Sequence, residues 1–202
     1  MSPSASALSR IVTVFRLTAA ERDYLFHLAG RVDPEIGEAS TDNQIFGPLI
    51  DGFISAISVP AYLLDRYYSP IAWNEHTAIL FNVWLAGLEK NLLRHVFLDP
   101  TARNFLIDWE LRACQLLAQF RIDYTKHIDD PQMVELVKGL HEESDFFRKI
   151  WNDHHVLFRE GNERSYIHPA LGKLTYFQNT FAACSDPSTK LVILYPLGER
   201  QA

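Results

Sequence analysis

Eight histidines make metal binding the first chemistry to consider in this sequence. His141, Glu142, His154 and His155 lie close enough along the chain to be considered as one ligand set. Helical zinc sites typically place two histidines four positions apart with a glutamate between them, and other metal sites repeat a cysteine or carboxylate at a fixed interval. Neither spacing occurs here. We therefore predict no metal site and no cofactor, and histidines that are hydrogen-bonded or exposed.

The residues that could catalyse a reaction also lack a recognised arrangement. The chain contains no Gly-x-Ser-x-Gly elbow, no glycine-rich phosphate loop ahead of a helix, and no cysteine and histidine in a known local frame. The acidic pairs Asp108/Glu110 and Glu142/Glu143 are typical of helix surfaces or caps, because adjacent helix positions point apart. We predict that the protein is not an enzyme.

Arg121 is a charged residue that needs a partner. It follows Phe120 at the end of an apolar helix face, where a guanidinium must reach solvent, cap a helix C-terminus or pair with an anion. A carboxylate such as Asp108 or Glu110 is one candidate partner, and the anionic head group of a ligand is the other. His168 presents the same choice between an internal hydrogen bond and a ligand contact.

Aromatic residues make up 12% of the chain and include four tryptophans. Such side chains fill hydrophobic cores and also line ligand cavities. For any single tryptophan, core filling is the more frequent role. The aromatic content therefore leaves a packed core and a ligand cavity as alternatives.

The overall composition argues against direct DNA binding and against export. The 202 residues suit one domain with a small appendage, and the net charge of -6 provides no basic surplus to follow a phosphate backbone. Cys114 and Cys184 have neither metal nor redox spacing, which fits a reducing cytosol. The chain shows no signal sequence and no membrane-spanning apolar run. We expect a cytoplasmic protein that makes no contact with a membrane.

Two short helices are predicted near the N-terminus. Leu8 to Phe15 has helical apolar spacing, and Thr18 with Glu21 forms a capping box for a second helix that stops at Gly30. Residues 31–43 are acidic and contain proline and glycine, which is typical of a linker.

The hydrophobic period then changes several times. A helix beginning near Ile45 should end before Pro60. Residues 61–65 and 70–73 are predicted to form a β-hairpin, and Asn74 is a good N-cap for the helical block that follows. Three closing strands are predicted at 164–168, 173–181 and 190–195.

Within the helical block, we predict one long helix that begins at Asp99 or Thr101 and continues through Phe120. Further helices begin at Asp130 and run to about Asn152. The predicted fold class is α+β. It contains a single antiparallel sheet of about five strands, with a large helical insertion between the second and third strands and with helices covering one face of the sheet.

The element order resembles that of a PAS domain. A stronger resemblance, from Leu17 to Pro196, is to the MmyB-like ligand-binding domain that follows an XRE-type helix-turn-helix in bacterial transcription regulators. The residues that carry it are Leu17-Thr18, Glu21-Arg22, Leu28-Ala29-Gly30, Ala72-Trp73-Asn74, Asn91, Phe97-Leu98-Asp99-Pro100, Asp108-Trp109-Glu110, Arg121, Asp130-Pro131, Leu136-Val137, Leu140, Ser144, Phe147-Arg148, Trp151, His154, Val156, His168-Pro169 and Gly172.

The resemblance implies three segments. Residues 1–30 would be the closing helices of a helix-turn-helix domain whose groove-reading helix is missing, residues 31–43 a linker, and residues 44–202 a PAS-like sensor domain. A fatty-acid-like ligand is implied in a cavity between helices and sheet. The candidate ligand contacts are Trp73, Trp109, Phe147, Trp151 and Tyr176 for the acyl chain, with Arg121 and His168 for a carboxylate head group.

Two functional readings follow from the resemblance. In the first, the domain senses a small apolar ligand, works as a homodimer, and reaches DNA only through a helix-turn-helix domain that is incomplete in this chain. In the alternative, it is a dimerisation and scaffold module whose interior is packed solid and holds no ligand.

Overall fold

The computed structural model describes residues 4–29, 50–87, 89–153, 162–182 and 186–198. The chain divides into two units, residues 1–49 and residues 50–202. The predicted linker at 31–43 lies outside the described residues.

The N-terminal unit contains two helices, α1 (Ala5–Phe15) and α2 (Ala19–Leu28). The predicted capping box is confirmed, because the Glu21 carboxylate accepts hydrogen bonds from both the backbone N–H and the hydroxyl of Thr18 at 2.8 Å. Leu8, Val12 and Phe26 are buried together between the two helices. A small apolar core therefore holds this pair of helices.

Five strands in the second unit form one sheet, as predicted. They are β1 (Ala61–Leu64), β2 (Pro70–Trp73), β3 (Glu163–His168), β4 (Gly172–Ala182) and β5 (Lys190–Pro196). Their order is β2-β1-β5-β4-β3, and every neighbouring pair is antiparallel. Because β5 pairs with β1, the closing three-stranded meander joins the opening hairpin through its last strand.

The helical insertion between β2 and β3 is also confirmed. A helical segment at residues 50–55 (α3) precedes β1. Seven helices then follow β2 in the described residues: α4 (Glu75–Leu80), α5 (Asn82–Ala86), α6 (Leu92–Leu98), α7 (Pro100–Phe105), α8 (Trp109–Lys126), α9 (Pro131–Glu143) and α10 (Asp145–Asn152).

The predicted single long helix is in fact two helices, α7 and α8. Between them, Leu106 forms a β-bridge with Tyr166, and the N–H of Ile107 donates to the carbonyl of Ser165 at 3.2 Å. Asp108 has φ 56° and ψ 46°, a left-handed conformation that stops helix continuation. The apolar period alone could not reveal this break, because the break depends on pairing with a distant strand.

The expectation that helices cover only one face of the sheet was wrong. Tyr62 and Leu194 belong to the main core, which lies between the sheet and the inserted helices. Leu63 and Ala72, on the opposite face, pack against the fully buried Ile54 of α3. Alternate residues of β1 point to opposite faces, so all four residues of this strand are buried.

Candidate ligand-binding site

Aromatic side chains meet between the sheet and the first part of the helical insertion. Tyr166 on β3 has its ring centroid 5.0 Å from that of Phe105 and 5.4 Å from that of Phe81. Trp84 packs edge-on against Tyr62 at 5.7 Å. Burial raises the pKa of both Tyr62 and Tyr166, so both hydroxyls stay protonated. We refer to these five residues as the sheet-side cluster.

A second aromatic group, the helix-side cluster, joins α8, α9 and α10. Its centre is Trp151, which stacks on Phe147 at 5.3 Å and meets Tyr124 edge-on at 5.5 Å. Phe120 and His141 complete the cluster. Phe147 and Phe120 are completely buried, so the helix-side cluster forms part of the hydrophobic core.

Trp73 and Trp109 have different neighbours in the structure. The Trp109 ring lies 4.7 Å from that of Phe146, and its indole N–H donates to the carbonyl of Val96 at 2.8 Å. Trp73 is half-buried on β2, with the Lys90 ammonium 5.5 Å from its ring centroid. Of the seven residues predicted to contact a ligand, only Phe147 and Trp151 have rings that stack on each other.

Arg121 serves as a cap for a different helix. Its guanidinium donates to the carbonyls of Ile150 and Trp151 at the C-terminal end of α10, and also approaches the carbonyl of Asp153. It also lies 5.4 Å from the Trp151 ring centroid. Burial lowers the pKa of this guanidinium, but arginine remains charged at any physiological pH.

His168 is buried and hydrogen-bonded on both sides of its ring. Nδ1 accepts hydrogen bonds from the N–H groups of Ala170 and Leu171, each at 3.1 Å, while Nε2 lies 3.1 Å from the carbonyl of Ile79. This pattern assigns the proton to Nε2. Tyr176 lies half-buried on β4, with its ring centroid 6.0 Å from that of Tyr166.

A mostly apolar pocket of about 320 Å³ is bounded by α4, α5, α6, α7 and the end of β3. Leu80, Phe81, Trp84 and His95 of its lining are buried, whereas the exposed lining residues, which we call the rim, are Asn82, Val83, Thr101, Asn104, Ile167 and Pro169. The lining residues are Leu80, Phe81, Asn82, Val83, Trp84, His95, Thr101, Asn104, Phe105, Ile167 and Pro169. None of the seven residues predicted from the sequence is among them.

A smaller pocket of about 240 Å³ lies near the start of β1. It is bounded by Pro60, His76, Leu171 and Tyr176, among others. Tyr176 is the one sequence-predicted contact that lines either of these two pockets.

One carboxylate organises the polar side of the larger pocket. Asp99, the N-cap of α7, accepts from the N–H and the hydroxyl of Thr101 at 2.8 and 2.7 Å. Its other oxygen lies 3.2 Å from Nδ1 of His95. The His95 ring in turn stacks on Trp84, with centroids 6.1 Å apart. Asp99 therefore contacts two lining residues directly.

The described residues contain neither a metal-binding cluster nor a membrane-spanning helix. No group of three or more histidine, cysteine or acidic side chains is arranged to hold a metal ion there. His154 and His155 lie outside the described residues, so half of the ligand set considered from the sequence has no described position. None of the described helices combines the length and apolar composition that crossing a membrane requires.

A family model described as the MmyB-like transcription regulator ligand binding domain matches residues 48–201. The chain belongs to this family. The match covers the whole five-stranded sheet and the helical insertion, and it begins after α1 and α2. The second unit is thus a regulatory ligand-binding domain of the MmyB-like type. No match to a curated protein was found.

The residues that line the larger pocket of this MmyB-like domain were not predicted from the sequence as ligand contacts. Trp84 was the one tryptophan without a family landmark, and it turns out to be buried, with its indole N–H donating to the carbonyl of Lys90 at 2.7 Å. Phe81 lies between two short helices, α4 and α5, and Phe105 was expected on the apolar stripe of the predicted long helix and not at a ligand site. Short helices carry too little periodicity to show which face is buried.

Proposed function

We propose that this MmyB-like domain is a non-catalytic sensor in a bacterial transcription regulator, and that it binds a small apolar, fatty-acid-like molecule. The observation that carries the proposal is the larger pocket, with buried Phe81, Trp84 and Leu80 at its base. Ligand sites are typically concave and mostly apolar, with a few polar groups that orient the ligand. Asn82, Thr101 and Asn104 supply such groups at the rim.

The pocket volume limits the size of the ligand. At roughly 30 Å³ per group, the share of liquid volume that one water molecule occupies, about ten non-hydrogen atoms fill 320 Å³. A medium-length acyl chain fits this space. Each buried methylene contributes about 0.8 kcal/mol before ordering costs, so affinity should rise with chain length and level off once the pocket is full.

Native mass spectrometry for a co-purified lipid tests the proposal directly, and melting temperatures with straight-chain compounds of increasing length measure the size limit. Val83→Trp should fill the pocket and abolish the ligand-induced rise in melting temperature. Val134→Trp on α9 is the matched control, because Val134 and Val83 are 43% and 42% exposed. If no chain length raises the melting temperature of the unsubstituted protein, the sensor proposal fails.

The same experiment separates two candidate positions for the ligand. Trp73, Trp109, Phe147, Trp151 and Tyr176 remain proposed contacts for a ligand that enters the interior. Binding that survives in Val83→Trp would place the ligand there. Loss of binding in Val83→Trp alone would place it in the larger pocket.

The scaffold reading remains a second candidate because of the dense packing of the helix-side cluster. Phe120 and Phe147 are completely buried, and Trp151 is surrounded by aromatic rings. A domain that serves only to dimerise needs no cavity. Failure of every long-chain compound to bind, together with dimerisation, would favour this reading.

We also propose a cytoplasmic homodimer that contacts DNA through a helix-turn-helix domain of the regulator. The net charge of -6 opposes direct phosphate binding by these residues. A gel-shift assay should accordingly show no sequence-selective, salt-sensitive complex with this chain.

A further inference from the structure

Among the described residues that line the larger pocket, the polar side chains are uncharged. Asn82 and Asn104 contribute amides, Thr101 a hydroxyl and His95 an imidazole, and no lysine or arginine occurs among the lining residues. Burial lowers the pKa of His95, which keeps the ring uncharged at neutral pH. A ligand carboxylate at this rim would therefore find hydrogen-bond donors but no positive charge.

The arginines nearest in sequence have other partners. Arg94, beside His95, makes two hydrogen bonds of 2.9 Å to Glu143 and also pairs with Glu89. The guanidinium of Arg103, on the same helix as Thr101, lies 4.5 Å from the Trp109 ring centroid. Neither residue lines the pocket.

Asp99 does not line the pocket, but it brings a negative charge into contact with the lining residues Thr101 and His95. Burial by itself would raise the pKa of Asp99, but the hydrogen bonds from Thr101 and the adjacent His95 outweigh that effect and hold the pKa below its usual range. The carboxylate is thus ionised at neutral pH, and it contacts both Thr101 and His95. An anionic head group that bonded to either residue would lie close to a like charge.

We propose that this pocket selects acyl chains with an uncharged hydrogen-bonding head group, such as an amide or an alcohol. This inference rests on the proposed function. Asp99 is the specificity-determining residue that rejects carboxylates. The ligand would then resemble a fatty acid in its chain and differ from one in its head group.

Octanamide and octanoate test this inference, because both have about ten non-hydrogen atoms, the number that fills the pocket. Calorimetric titration of the full chain at pH 8 and low ionic strength should show octanamide binding about tenfold more tightly or better. Asp99→Asn should reduce that ratio several-fold, mainly by improving octanoate binding. Asparagine caps helices about as well as aspartate, so α7 should persist, and Asp99→Ser provides a second neutral cap.

Asp130→Asn is the matched control. Asp130 is the N-cap of α9, accepts from two backbone N–H groups, and does not line the pocket. This substitution should leave the ratio of the two affinities unchanged.

Each outcome has a distinct meaning. Equal binding of the two compounds, or tighter binding of octanoate, overturns the head-group inference and leaves the proposed sensor function intact. A preference for octanamide that Asp99→Asn and Asp99→Ser do not alter overturns the role of Asp99. If neither compound binds, the sensor proposal and this inference fall together.

Discussion

Arg121 and His168 show how buried polar side chains are satisfied in this domain. From the sequence, Arg121 could reach solvent, cap a helix C-terminus or pair with an anion, and His168 could make an internal hydrogen bond or contact a ligand. In the structure, both residues bond to backbone groups, Arg121 to carbonyls at the end of α10 and His168 to the Ala170 and Leu171 N–H groups. Helix ends and turns leave backbone groups unpaired, and a nearby polar side chain can supply the missing bond.

Replacing Arg121 with methionine should therefore lower stability rather than change ligand selectivity. The substitution removes charged donors and leaves the carbonyls of Ile150 and Trp151 without their partner, which costs about 2 kcal/mol. Chemical denaturation measures the loss. Arg103→Met, which removes only a cation–π contact with Trp109, should cost less than about 1 kcal/mol. A normal unfolding free energy combined with selective loss of octanoate binding would instead give Arg121 a head-group role.

A buried ion pair makes a second prediction at the residue scale. Asp123 on α8 lies 2.7 Å from the Lys190 ammonium at the start of β5, and it accepts from the Tyr68 hydroxyl at 2.8 Å. Asp123→Asn should cost about 3 kcal/mol, because a buried ammonium loses its counter-charge. Adding Lys190→Met to that variant should recover part of the loss. If the loss of stability in the double variant equals the sum of the two single losses, Asp123 and Lys190 are not directly coupled.

The Asp123 carboxylate should also make the free energy of unfolding depend on pH. Burial alone would raise the pKa of Asp123, but the bonds to Lys190 and Tyr68 outweigh it and lower the pKa below its usual value. A depressed folded-state pKa adds stability above the unfolded value of about 3.9, and this stability is lost as the pH falls through the folded pKa. The free energy of unfolding should therefore decline below about pH 4. In Asp123→Asn, this free energy should decline less steeply with falling pH. If the unfolding free energies of the unsubstituted protein and Asp123→Asn decline in parallel with pH, Asp123 is not the source of the decline.

At the scale of elements, the break between α7 and α8 combines the pairing with β3 and a left-handed backbone conformation at Asp108. Asp108 has positive φ and makes no side-chain capping bond. Asp108→Gly should therefore be neutral or stabilising, whereas Asp108→Val should cost about 1–2 kcal/mol, because a β-branched side chain is strained in this left-handed region, which aspartate tolerates better. Thermal unfolding of the two variants measures the difference. Equal stability of the two variants would show that residue 108 can leave the left-handed conformation, and the two helices can join, without a cost in free energy.

At the scale of the whole molecule, we predict a homodimer. Val14 and Phe15 of the N-terminal unit are 75% and 71% exposed, and exposed apolar patches mark interaction surfaces. Regulators with a helix-turn-helix commonly read paired half-sites as dimers. Sedimentation equilibrium should show a concentration-dependent dimer that Val14→Lys with Phe15→Glu weakens. Ile128→Lys, at another exposed apolar position, is the control, and a monomer at every concentration would contradict the prediction.

Much of the fold was predictable from the sequence, because elements and their ends depend on neighbouring residues. Asn74 and Asp130 act as N-caps as predicted. The strands begin and end within a few residues of the predicted positions, since alternating apolar residues and turn formers are local features. The order of five strands around a helical insertion then followed from the order of the elements.

The site needed the tertiary structure. The larger pocket brings together Phe81, Trp84 and His95 with Phe105 and Ile167, residues from separate helices and from a strand. Which faces meet depends on packing between elements far apart in the chain, and that packing leaves no local pattern. The sequence by itself determined most of the elements and indicated the family, whereas only the folded chain decided where α7 and α8 separate and which residues surround a pocket, because strand pairing and cavities both arise between elements.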